Sequence, residues 1–329
     1  MSPTLKLSAH VEEWAARSPF RITGHCWDTF RVVVVELNDG EHVGRGEGSP
    51  VYYLNESADS LYRQVDAIGA DIERGIDRQA LLKLLPAGGA RNAVDGALWD
   101  LEAKRSGKTI WNLTGIEPKP VTTVFTIGIE DSPESMACRA LEGSMYPILK
   151  IKVDSDRPVE RVAAIREVLP KTELVVDANQ AWTFEQLIQV APKLAELGVK
   201  LIEQPLPRDG DEPLERYTPP IPLSADESCQ HRGELDQASR RYQIINIKLD
   251  KAGGLTEALY LARAVKDRGL QSLVSCMGGT SLGLAPAFVL AQLCRYVELD
   301  AHLFLKNDRF PALHCRNGQI GVPDCRLWG

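Results

Sequence analysis

No two of the seven cysteines (Cys26, Cys138, Cys229, Cys276, Cys294, Cys315 and Cys325) form a CxxC pair, and their number is odd. That pattern excludes a thiol zinc site and a disulfide framework, so reduced thiols are expected. The six histidines never fall into HExxH or a similar metal spacing. Positive charge is in deficit: the formal net charge is -7, and no basic stripe is visible, which argues against nucleic acid as a partner. No apolar run approaches the length of a membrane span, and residues 1–10 lack the apolar stretch of a secretory leader. The expectation is a cytoplasmic chain with no membrane partner.

What is present is length and alternation. The chain has 329 residues, too many for one small domain and enough for a barrel of roughly 200–250 residues with an accessory domain. Near the N-terminus, RVVVVEL (31–37) is a β-branched run ending at Asn38-Asp39-Gly40, with EHVGRGEG (41–48) as its hairpin partner. Residues 90–105 place Ala90, Val94, Ala97, Leu98 and Leu101 on one helical stripe, which Gly107 ends. A sheet followed by helices is an α+β pattern, assigned here to residues 1–118.

From residue 119 onward short apolar strands alternate with amphipathic helices. Strands are expected at 121–129, 148–153, 173–179, 200–205, 222–228, 244–250, 271–277 and 296–302, with helices such as 159–169 and 255–269 between them. Eight strands alternating with helices in this way predict an α/β fold, a parallel TIM-type barrel over residues 119–329. A doubly wound sheet competes with it, but no GxGxxG turn follows the first strand.

Charge recurs at the strand ends. Lys150 and Lys152 are followed by Asp177, Glu203, Asp226-Glu227 and Lys248, one strand–helix unit apart each time. This spacing predicts that the charges share one height at the C-terminal mouth, where barrels of this kind do chemistry. Any one carboxylate alone reads as a helix cap or a solvated loop residue. Three converging ones would repel one another, and a hard divalent cation such as Mg²⁺ removes that cost. Lys150 and Lys152 share a face, and Lys152 and Lys248 lie on opposite sides of the ring. A substrate carboxylate on the cation would put its α-carbon between two amines. One lysine, its pKa lowered by the neighbouring cations, would remove the α-proton, and the other would return one to the opposite face. Lys248 is preferred to Lys251, which lies past the strand end.

The segments KIK (150–152), VVDANQAW (175–182), IEQPLP (202–207), ADES (225–228) and NIKLDKAGGLTEAL (246–259) resemble the enolase superfamily, in its muconate-lactonizing-enzyme subgroup. GEGSPVYYLNES (46–57) and ARNAVDGALWDLEAK (90–104) resemble its capping domain. The likeness is greatest to the dipeptide epimerase branch. It implies a modified barrel, (β/α)7β, under an N-terminal α+β cap. It also implies a Mg²⁺-dependent isomerase that inverts the α-carbon of a dipeptide's C-terminal residue by 1,1-proton transfer through an enediolate. By this resemblance Lys152 and Lys248 are the acid/base pair, Lys150 helps neutralise the enediolate, and Asp177, Glu203 and Asp226 hold one Mg²⁺. Thr126, Cys276, Met277 and Gly278 would contact the substrate, and Glu298 and Asp300 would receive its ammonium group. Asn179 and Glu227 would stand behind the metal ligands. A homo-oligomer is compatible with this reading.

Two departures bear on specificity. Strand eight carries Glu298-Leu299-Asp300 where the family has Asp-x-Asp. The loop TGHCWDTF (23–30) lacks the arginine that Ala-Glu epimerases present to a glutamate side chain. The expectation is a preference other than Ala-Glu: Trp27 suits an apolar or aromatic side chain and Asp28 a cationic one, and both remain open. The rivals are N-acylamino acid racemisation and an o-succinylbenzoate synthase or cycloisomerase reaction on the same scaffold. The acidic strand-eight end weighs against all of them.

Overall fold

The computed structural model describes residues 5–329. The first unit is an antiparallel sheet of β1 (Lys6–Ile22), β2 (His25–Asn38) and β3 (Val43–Gly48), in that order. The valine run of β2 is buried on both faces. Val33, Val35 and Leu37 join the core under the cap helices, while Val32 and Val34 join the large core of the rest of the molecule. A strand covered on two sides needs a continuous apolar run, not an alternating one. β1 was absent from the sequence reading; its sequence has no such run, because one of its faces meets solvent.

Five helices complete this unit: α1 (Ala58–Ala67), α2 (Gly69–Glu73), α3 (Arg78–Leu84), α4 (Gly89–Ser106) and α5 (Ile110–Thr114). α4 is the stripe read from sequence, and Gly107 ends it in the left-handed conformation. It lies directly on β3. A Cβ at Gly44, Gly46 or Gly48 would overlap the backbone of α4.

The second unit begins at β4 (Val121–Thr122). Eight parallel strands follow one another around a curled sheet in chain order: β5 (Phe125–Ile127), β6 (Ile148–Lys152), β7 (Glu173–Asp177), β8 (Val199–Glu203), β9 (Leu223–Ala225), β10 (Ile244–Lys248), β11 (Gln271–Ser275) and β12 (Tyr296–Val297). Val124 N–H donates to the Val297 carbonyl at 3.2 Å, where the two ends meet. The expected capped barrel is therefore the fold. Between strands run α6 (Pro133–Glu142), α7 (Pro158–Val168), α8 (Phe184–Glu196), α9 (Leu235–Arg241), the single turn α10 (Leu249–Ala252), α11 (Leu255–Asp267) and α12 (Ser281–Ala291). The β8–β9 connection holds only two 3₁₀ turns. Pro205, Pro207, Pro213, Pro219, Pro220 and Pro222 prevent a longer helix there.

Most strands are shorter than the sequence suggested. Residues 298–302 leave the sheet, and Ala301–Phe304 form a 3₁₀ turn. The hairpin of β13 (Cys315–Arg316) and β14 (Gln319–Ile320) pairs with β4. Beyond it, Trp328 Nε1 donates to the Gly96 carbonyl and Gly329 N–H to Asp100, tying the last residues to α4. Among the described residues no helix is long and apolar enough to cross a membrane.

Candidate active site

The inner wall of the barrel changes character as it rises. Val175, Leu201, Ile244 and Leu273 form an apolar plug. Two residues further along three of these strands stand Asp177, Glu203 and Asn246, and strand alternation brings them to the same inner face. The outward neighbours Leu149, Ile151 and Val153 pack under the helices.

The ladder fixes the heights. Lys152 pairs with Asp177, and Asp177 with Glu203, so these three share one rung. Glu203 then pairs with Ser224, not with Asp226. Asp226 thus stands two residues above the Glu203 rung, and since Ile245 pairs with Ala225, Lys248 stands two residues higher again. The expectation of a single level is corrected to a rising staircase. Closing a sheet requires tilted, staggered strands, and equal sequence spacing does not measure that stagger.

The lysines meet the carboxylates directly. Lys150 Nζ lies 2.8 Å from Glu203, 3.0 Å from Asp177 and 2.7 Å from Glu298. Lys152 Nζ donates to Asp177 at 2.5 Å and Lys248 Nζ to Asp226 at 2.6 Å. Lys251 Nζ donates to Asp226 Oδ1 at 2.8 Å and to its carbonyl at 2.6 Å. Asn246 Nδ2 holds the other oxygen of Glu203 at 2.8 Å. Among the described residues no three His, Cys, Asp or Glu side chains stand close enough together to hold a metal ion in this arrangement.

The electrostatics nevertheless leave the acids short of positive charge. Burial opposes ionisation of Asp177, but Lys150 and Lys152 override it and bring the carboxyl to about 2. Burial likewise opposes charge on Asp226, and Lys248 and Lys251 hold that group well below the usual range. At Glu203 the one lysine, Lys150, is outweighed: burial and the Asp177 charge push the carboxyl up to about 8. Burial and the Asp226 charge do the same to Glu227. Glu227 Oε1 and Oε2, Asn179 Oδ1 and Glu298 Oε1 are buried acceptors without a donor. An all-oxygen set that its own lysines cannot neutralise fits a hard cation.

The expected lowering of lysine pKa is not found. Burial works to lower Lys248, but Asp226 and Glu203 outweigh it and hold the ammonium above its ordinary range. Lys150 is raised against burial by Asp177, Glu203 and Glu298. The nearest neighbours of these lysines are anions, so the sign reverses.

Lys150, Lys152 and Lys248 line one cavity of about 310 Å³ with Asn179, Glu298 and Asp300. Thr126, Cys276, Met277 and Gly278 line it too. Asp300 accepts the Thr126 N–H at 2.7 Å, and Cys276 Sγ donates to the Glu298 carbonyl. The cap supplies the opposite wall through Phe20, Ile22, Trp27, Phe30, Arg31 and Tyr52. Trp27 stacks on His25 and meets Tyr52, while Asp28 is exposed and outside the wall. Lys251 is outside it as well, as is the buried His302. Cys229 is buried, and burial pushes its thiol up to about 12.

The same combination of barrel and cap occurs in known proteins. Residues 134–326 match the model for the enolase C-terminal domain-like family, and residues 6–115 match the mandelate racemase/muconate lactonizing enzyme N-terminal domain. This chain belongs to the enolase superfamily. It is 40% identical to the L-Ala-D/L-Glu epimerase of Escherichia coli over 94% of this chain and 97% of that one. A solved enolase-family structure from Agrobacterium tumefaciens, described as homologous to dipeptide epimerases and holding sodium and L-Ala-L-Glu, aligns with a TM-score of 0.96 and 38% identity over 99% of this chain and 100% of that one. A dipeptide epimerase from Enterococcus faecalis, solved with Mg and L-Leu-L-Tyr, aligns at 0.89 with 27% identity over 98% of each chain.

Two features of this superfamily member escaped sequence reasoning. The cap wall comes from Phe20, Phe30 and Tyr52, which lie on or beside strands whose pairing gives no sign of a cavity. Lys251 turns onto Asp226 because α10 begins immediately after β10 and ends strand alternation.

Proposed function

We propose that this chain is a Mg²⁺-dependent dipeptide epimerase acting at the α-carbon of the C-terminal residue. One observation carries the reading: Lys152 and Lys248, from strands half a ring apart, line one cavity beside three buried carboxylates. Asp177, Glu203 and Asp226 would hold the cation. When bound, Mg²⁺ supplies the charge that these carboxylates otherwise draw from the lysines, and stabilises negative charge growing on the substrate carboxylate. Lys152 Nζ and Lys248 Nζ exchange protons with opposite faces of the α-carbon. Lys150 adds a fixed positive charge. Glu298, with Oε1 unpartnered, and Asp300 offer anionic oxygens to the peptide's ammonium group.

The cap wall supports an apolar side chain at the reacting residue. Its rings are Phe20, Trp27, Phe30 and Tyr52, and its one cation, Arg31, is held by Asp59 at 2.9 Å and Glu13 at 3.0 Å. With Asp28 outside the wall, the only carboxylate the cap brings to it is Glu56, whose Oε2 already accepts the Val51 and Gly89 N–H groups. Arg31 also favours a second reading, L-Ala-D/L-Glu, in which it leaves Asp59 for the substrate.

Purified protein with Mg²⁺ is incubated in D₂O with Ala-Leu, Ala-Phe, Ala-Glu, Ala-Lys and an N-acetyl amino acid, and followed by mass spectrometry and chiral analysis. Deuterium at the C-terminal α-carbon with inversion is expected, fastest for Ala-Leu or Ala-Phe, and chelation should abolish it. Preference for Ala-Glu would select the second reading. Exchange only in the N-acetyl amino acid would overturn the dipeptide assignment.

A further inference from the structure

We infer that Asp250 is a positioning residue through which the cap sets the place of Lys248 in the cavity; this rests on the two-lysine reading above. Lys248 is the last residue of β10, and its pairing with Ser275 is the last rung of that ladder. Beyond it the sheet holds nothing, and the chain folds into α10. Asp250, in that turn, is buried and points into the cap: its Oδ1 accepts the Ser49 N–H and Asn92 Nδ2, both at 2.8 Å.

Two further ties grip the same segment. Arg91 of α4 donates to the carbonyls of Ala252 at 2.6 Å and Gly253 at 3.0 Å. Asp95 accepts the Thr256 N–H at 3.0 Å, capping α11 from the cap helix. The approach is close enough that a Cβ at Gly253 would overlap Arg91, and one at Gly254 would overlap Asp95. The residues from 249 to 256 are therefore held by the cap.

The tether also touches the substrate side. Ser49 Oγ donates to the Gly278 carbonyl at 2.9 Å, and Glu47 accepts the Thr280 N–H at 2.7 Å. The next residues along, Pro50 and Tyr52, line the cavity. The end of β3 thus joins the turn after Lys248, the loop after β11 and the cap wall through a few bonds. Lys152 makes no bond to this node; its rung is fixed within the sheet by Asp177. Disturbing Asp250 should displace one of the two lysines and spare the other.

That asymmetry gives a readout that loss of folded protein would not produce. For the epimer whose α-proton faces Lys152, Lys152 can still remove and return a proton, giving exchange with retention. Inversion needs Lys248 in place. In Asp250→Ala we expect inversion to fall by about 100-fold, the scale for a misplacement near 1 Å. Exchange with retention should persist for that one epimer. Asp250→Asn keeps the acceptor oxygen and should restore the wild-type ratio of exchange to inversion. Asn92→Ala, which removes one donor, should shift the ratio in the same direction by less, and serves if Asp250→Ala does not fold. Exchange and inversion lost in equal proportion for both epimers, an unchanged ratio, or Asn behaving as Ala would overturn this inference alone. Wild-type protein that exchanges with no dipeptide would remove the function reading, and this inference with it.

Discussion

Lys251 is fully buried and has no share in the cavity wall. Its two bonds to Asp226 make it a holder of that carboxylate. Removing one partner of a buried ion pair leaves the other uncompensated, so Lys251→Met should destabilise the protein by roughly 3–5 kcal/mol. Urea unfolding measures this, and calorimetry should show weaker Mg²⁺ binding, since Asp226 loses its orientation. Asp250 offers a test of sign. Burial pushes its carboxyl up to about 7, helped by the charges of Glu47 and Glu56, while Ser49 and Asn92 oppose the rise. A carboxyl raised on folding binds more protons in the folded state, so its favourable contribution is complete below about pH 4 and is lost as pH rises through 7. Asp250→Asn does not titrate. Its stability relative to wild type should therefore grow between pH 5 and pH 8, by on the order of 2 kcal/mol. A difference that is flat with pH would refute the assignment. The lysines and carboxylates of β6, β7 and β8 were legible from register alone. Trp27 and Asp28 were not separable until the hairpin of β1 and β2 turned one ring inward and left the carboxylate in water.

Among the elements, the β3–α4 contact is the most constrained. Gly44, Gly46 and Gly48 face α4 with no room for a methyl group. Gly46→Ala should cost about 1–3 kcal/mol or more, since the clash is with helix backbone and no side chain can rotate away. Thermal or urea unfolding reads it, and wild-type stability would show that β3 has slack. The sequence showed this hairpin and the α4 stripe, because the valine run ends at a turn and the stripe has the helical period. It did not show β1, whose register against β2 shifts between Ala15 and Phe20. Nor did it show the missing helix between β8 and β9, where prolines override the barrel's alternation.

For the whole molecule, the cation should act as a stabilising ligand. A ligand that binds only the folded state adds about 2.7 kcal/mol at a hundred times its dissociation constant. Mg²⁺ should raise the unfolding temperature in proportion, and Asp177→Asn should blunt that rise. An unfolding temperature indifferent to Mg²⁺ would count against the carboxylate site. Fold class was plain from eight strands alternating with helices, whereas the stagger of the staircase depended on closure, which no local spacing records.

The tie between Trp328 and Gly96 spans 232 residues. At the ~5–20 residues per second of protein synthesis, roughly 10–50 seconds pass between the making of α4 and the arrival of the ring that covers it. For that interval the cap helix has its sheet but not its last seal. The clamp that carries Lys248 is then assembled late, when barrel and tail come to a helix that has been waiting for both.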